Sequence, residues 1–103
     1  MYKVLIADDE AIIRGGLARF VESDPEFRVV ATAEDGRAAL ALAREHRPDL
    51  ALVDINMPFI NGIALTEQLV AMLPDIVIVI ISGYDDFSYA QNALRLGVLD
   101  YIL

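Results

Sequence analysis

The chain predicts an α/β fold, a doubly wound parallel sheet, and three observations carry that expectation. Short apolar, β-rich runs alternate strictly with segments of helical period, the pattern of parallel strands joined by right-handed crossovers. The third and fourth of those runs are almost wholly apolar, as central parallel strands buried on both faces must be. The composition is 56% hydrophobic over 103 residues, enough for one folded core and too apolar for a disordered chain. Residues 1–103 are therefore taken as one domain.

The elements follow in order. VLIA at 4–7 reads as a strand, and AIIRGGLARFV at 11–21 as a helix with Ile13, Leu17, Phe20 and Val21 on one face. RVVATA at 28–33 is a second strand, after which Asp35-Gly36 opens an Ala- and Leu-rich helix that ends before Pro48. DLALVD at 49–54 is the third strand, and a helix from Gly62 to Leu73 is closed by Pro74. IVIVII at 76–81 is the fourth strand; Asp85 or Asp86 caps a helix that runs to about Leu96-Gly97. LDYIL at 99–103 is a fifth strand, and Asp100 within it suits the edge of the sheet. Periodicity does not fix the order of the strands.

Composition excludes several classes of function. There is no cysteine, hence no disulfide framework and no thiolate metal site. The single histidine, His46, rules out a multi-histidine metal centre. A formal charge of −8 repels nucleic acid, so this chain is not expected to bind DNA directly. No apolar run, 76–81 included, exceeds six residues, far short of a membrane span, and MYKVLIADDE meets acids before a signal-peptide core can form. The expectation is a soluble cytoplasmic protein with no membrane contact.

In a parallel sheet the carboxyl ends of the strands open on one rim, where ligands bind. The unusual residues fall there: Asp8-Asp9-Glu10 after the first strand, Asp54 at the end of the third, Ser82-Gly83 after the fourth. Carboxylates brought within ~4 Å of each other repel by about 4 kcal/mol at an effective dielectric near 20. Protonation or a cation must offset that, and with oxygen ligands alone the natural cation is hard and divalent. Mg²⁺ takes one or two carboxylates and is often completed by a phosphate oxygen. A carboxylate beside it can act as a nucleophile toward phosphorus, with a nearby hydroxyl such as Ser82 bonding a phosphoryl oxygen. Each residue also has a plainer reading. Asp8, Asp9 and Glu10 suit the start of a helix, Asn61-Gly62 serves backbone geometry, Ser82-Gly83 is an ordinary turn, and His46 sits in solvent near a helix end.

The stretches VLIADDE, LALVDINMPFING, IVIVIISGYDDFSYA and GVLDYIL resemble the receiver domain of two-component response regulators, and the likeness runs the whole length of the chain. The resemblance implies a flavodoxin-like sheet of order 2-1-3-4-5. It implies that Asp54 is the phosphoacceptor, taking a phosphoryl group from a sensor histidine kinase. Asp8 and Asp9 would hold Mg²⁺ with Asp54, and the backbone carbonyl of Asn56 would complete the protein ligands. Ser82 would be the switch hydroxyl and Tyr101 the switch aromatic, while Asn56 and Tyr84 stand where the family tunes the lifetime of the phosphoryl group. SGYDDFSYA is similar to the wording of receivers joined to AraC-type helix-turn-helix outputs. That output would be a separate DNA-binding domain that regulates transcription and is switched by this one.

The family pattern continues with a Lys-Pro and a fifth helix, whereas the sequence given reaches Leu103 first; its only lysine is Lys3. The expectation is a receiver cut short at its C-terminal end. Right-handed crossovers put the first helix on one face and the later ones on the other. Part of the first helix's face would then be bare, and self-association as a homodimer through it is expected. Two enzyme or ligand classes fit less well. Haloacid-dehalogenase-like phosphatases carry D-x-D on the first strand, where this chain has Asp8-Asp9. A nucleotide-binding domain needs a glycine-rich loop after the first strand, but Gly15 and Gly16 lie inside the helix. The preferred reading is a phosphorylation-dependent switch and not a turnover enzyme. The alternative is a degenerate receiver that acts only as a protein-interaction module.

Overall fold

A computed structural model describes residues 1–55 and 57–81 together with the backbone of 100–102. The strands are β1 (Tyr2–Ala7), β2 (Phe27–Ala33), β3 (Leu50–Asp54), β4 (Val77–Ile81) and β5 (Asp100–Ile102). The helices among the described residues are α1 (Ala11–Glu22), α2 (Gly36–His46) and α3 (Gly62–Met72). All four strand pairings are parallel and the order is β2-β1-β3-β4-β5, as the resemblance implied. The expected helix after Asp85 lies outside the described residues. No helix among the described residues is long and apolar enough to cross a membrane.

Local chemistry sets the helix ends. The Asp35 side chain accepts from the Ala38 N–H at 2.8 Å and starts α2, as an aspartate at an N-cap should. That helix stops at Arg47, whose φ of 48° is left-handed, one residue before Pro48. Lys3 Nζ donates to the His46 carbonyl at 2.7 Å, tying this helix end to the sheet. Asn61 caps α3 through the Ala64 N–H at 2.9 Å. α1 begins differently: its N-cap, Glu10, makes no side-chain capping bond.

Among the described residues, the two faces of the sheet are packed unequally. Leu5, Ala7, Ala51, Val53, Ile78 and Ile80 are fully buried in one cluster with Ala39 and Ala43 of α2 and Leu65 and Leu69 of α3. On the other face Val4 and Ile6 are buried, yet no residue of α1 is. There an opening of about 420 Å³ is bordered by Leu17, Phe20 and Val21 with Leu50, Leu52 and Ile81. A second opening of about 590 Å³, beside Phe27, Leu50, Val77 and Val79, continues it toward the other end of the strands. The helical face read from the sequence is only partly covered. Leu17 and Val21 are half-buried, but Ile13 is 44% and Phe20 76% exposed. Helical period predicts which residues share a stripe, not how far the surface beneath it extends. α1 lies against β1 and β2, so the stripe's edges overhang the groove.

Candidate functional site

Register brings the rim acids together. β1 and β3 are neighbours with Ala7 opposite Val53, so one step further on Asp8 and Asp54 emerge from adjacent strands. Carboxylate oxygens of Asp8, Asp9 and Asp54 all lie within 4.8 Å of one another. Asp8 is the buried member, only 3% exposed, while Asp54 is half-buried and Asp9 exposed.

Asp8 is held in place by two backbone groups and one side chain. Its N–H donates to the Ala33 carbonyl at 3.0 Å. Its carboxylate accepts from the Glu10 N–H at 2.8 Å, an Asx-type turn that orients the side chain. Its carbonyl accepts from Arg14 Nη1 at 2.9 Å. The sequence reading had offered helix capping for Asp8, Asp9 and Glu10. Glu10 does stand at the N-cap of α1, but the side-chain bond in this turn is Asp8's, made to the residue before the helix. Burial pushes the Asp8 carboxyl above the ordinary carboxylate range, and the charge on Asp9 adds to it. The Glu10 N–H and Arg14 pull the other way without cancelling the rise.

The segment after Asp54 is shaped by a close approach. The Gly62 N–H donates to the Ile55 carbonyl at 2.8 Å. A Cβ on Gly62 would come within 2.4 Å of the Asp54 carbonyl oxygen and 2.7 Å of Ile55 Cα. No side chain fits there, so a glycine is needed for α3 to start against the end of β3. Asn61-Gly62 thus serves backbone geometry, as expected, with the geometry at the phosphoacceptor candidate itself.

The donor set fits a hard divalent cation: three carboxylates, one buried with its charge disfavoured, and no nitrogen or sulfur ligand among them. Asn56 and Ser82, named as carbonyl ligand and switch hydroxyl, lie outside the described residues, as does Tyr84. The backbone of Tyr101 lies in β5 opposite Ile80; its side chain is outside what is described. Lys3, the only lysine, bonds the far end of α2 and takes no part in the site. Sequence reasoning missed Arg14 as a support of Asp8. Nothing in its spacing marks it, because the contact depends on how α1 leaves the rim.

Comparison with known proteins agrees with this architecture. A family described as the response regulator receiver domain matches residues 4–103. An uncharacterized response regulatory protein of Staphylococcus epidermidis is 46% identical over all of this chain and 41% of its own length. The transcriptional regulatory protein DegU of Brevibacillus brevis is 40% identical over 98% of this chain and 43% of its own. The chain therefore spans less than half the length of either relative. Among solved structures, the receiver domain of AraT, a response regulator of Geobacillus stearothermophilus, superposes with a TM-score of 0.91 at 50% identity. That match covers 99% of this chain and 80% of the other. With its strand order, its rim acids and these relatives in agreement, the chain belongs to the receiver domains of two-component response regulators.

Proposed function

We propose that this receiver takes a phosphoryl group onto Asp54 from a phosphohistidine of a sensor kinase and thereby switches a separate output domain. The observation that carries the reading is the convergence of Asp8, Asp9 and Asp54 within 4.8 Å at adjoining strand ends. The residues to hold Mg²⁺ are these three, with the Asn56 carbonyl as the fourth protein ligand. When bound, the ion supplies positive charge that offsets the carboxylates' repulsion and the charge of the incoming phosphoryl group.

Each residue then has a definite task. An Asp54 carboxylate oxygen forms the new bond to phosphorus as the phosphorus–nitrogen bond of the donor breaks, and the electron pair returns to the imidazole. Asp8, aimed by the Glu10 N–H and steadied through Arg14, keeps a fixed negative charge at the buried side of the site. Asp9 closes it from the solvent side. Ser82 bonds a phosphoryl oxygen, and Tyr101 follows that hydroxyl. The added charge of about −1.5 to −2 then biases the surface beyond β4 and β5. The product stays on the protein, so this is a switch and not a turnover enzyme. The output we assign is a helix-turn-helix DNA-binding domain in the same cytoplasmic protein.

Beryllofluoride, which mimics a phosphoryl group without needing transfer, tests the site. With Mg²⁺ it should bind at one equivalent, and either Asp8→Asn or removal of Mg²⁺ should abolish binding. Equal binding without Mg²⁺ would refute the assignment.

A further inference from the structure

The loop between Asp54 and α3 contains a strained turn. Phe59 has a φ of 71°, and the Ile60 N–H donates to the Pro58 carbonyl at 2.9 Å. A bond from residue i+2 to residue i around a left-handed centre is the rare form of γ-turn. A bulky aromatic there is unfavourable and persists only where its surroundings hold it. Burial of its own side chain does not supply that hold, since Phe59 is 68% exposed.

The hold comes from the first turn of α2. A Cβ on Gly36 would lie 2.6 Å from Ile60 Cβ and 2.8 Å from the Ile60 carbonyl oxygen. The helix backbone is therefore pressed directly on the loop. Beside it the Arg37 guanidinium sits 4.2 Å above the Phe59 ring, inside cation–π range. The cap bond from Asp35 to Ala38 fixes where this helix turn begins. At the loop's other end Gly62 is pinned to Ile55, next to Asp54.

We infer that the α2 corner, Gly36 and Arg37, is a positioning element that locks the Phe59 turn and so sets the loop carrying the metal and phosphoryl site. This rests on the function proposed above. These two residues act through Phe59 and Ile60.

Two readouts test it on the same protein: hydrogen exchange at the Ile60 and Gly62 amides without metal, and the Mg²⁺ dissociation constant from calorimetric titration. Arg37→Ala changes an exposed side chain and keeps the fold. It should speed exchange at both amides and weaken Mg²⁺ binding by about 2- to 5-fold, with Arg37→Lys restoring much of each. Gly36→Ala should do the same more strongly. Unchanged exchange in Arg37→Ala overturns the clamp. Faster exchange with an unaltered Mg²⁺ constant overturns its link to the site. A wild-type protein that binds no Mg²⁺ would sink the site assignment, while exchange would still decide the clamp.

Discussion

Among the described residues, the two faces of this sheet are closed to different degrees. Under α2 and α3, small alanines on β1, β3 and α2 let helices sit close, and Leu65, Leu69, Ile78 and Ile80 fill what remains without exposure. Under α1 the same strands present Leu50, Leu52, Val79 and Ile81 to a groove that the helix only partly roofs. All three described helices start at the site's rim, α1 directly after Asp8 and Asp9. α3 begins against Asp54, and α2 begins against the loop that follows it. Among the described residues, packing is closest where α2 and α3 cover the strands and more open under α1.

That contrast can be broken most forcefully at Leu69, which is fully buried. Leu69→Ala should cost about 2–5 kcal/mol in urea unfolding, whereas Phe20→Ala on the open face should stay within about 0.5 kcal/mol. Similar losses at the two positions would erase the distinction. Gly62→Ala comes next, because its Cβ must displace the Asp54 carbonyl. A destabilisation of about 1–3 kcal/mol is expected, together with shifted amide resonances at Asp54 and Ile55.

Asp8→Asn should act in the opposite direction. Its carboxyl titrates above the ordinary range in the folded protein, mainly through burial and then through Asp9. Between the ordinary value and the raised one, the folded state keeps a proton that the unfolded chain has released. Stability from this group is therefore greatest at low pH and falls as pH rises through the raised value. The amide retains the acceptor for the Glu10 N–H and has no charge to bury. Metal-free Asp8→Asn should gain on the order of 1 kcal/mol at neutral pH, and the gain should vanish in acid. Urea titrations across pH check both statements.

The smallest effect expected lies in α1. Nothing stands within 4 Å of a Cβ placed on Gly16, so Gly16→Ala should stabilise by about 0.5–1 kcal/mol through helix propensity alone. A loss there would mean that the groove is tighter than the structure has it.

What could be read in advance divides along the same line. The strands were legible because the first four are short apolar runs ended by an acid or a turn, and the strand starts moved by at most two residues. The carboxylate cluster was legible because three strand ends on one rim carried the unusual side chains. The exposure of Phe20 was not, since periodicity describes a helix and not the surface beneath it. Arg14, Arg37 and Phe59 were not legible either. Their contacts arise where helix starts meet loops distant in sequence, and no spacing encodes that meeting.

The most direct test of the central claim is covalent. After incubation with Mg²⁺ and a small acyl-phosphate donor, peptide mapping should find one base-labile phosphoryl group on Asp54, absent from Asp54→Asn and from protein stripped of Mg²⁺. A phosphoryl group that persists in Asp54→Asn, or that maps to another residue in the wild type, would contradict it.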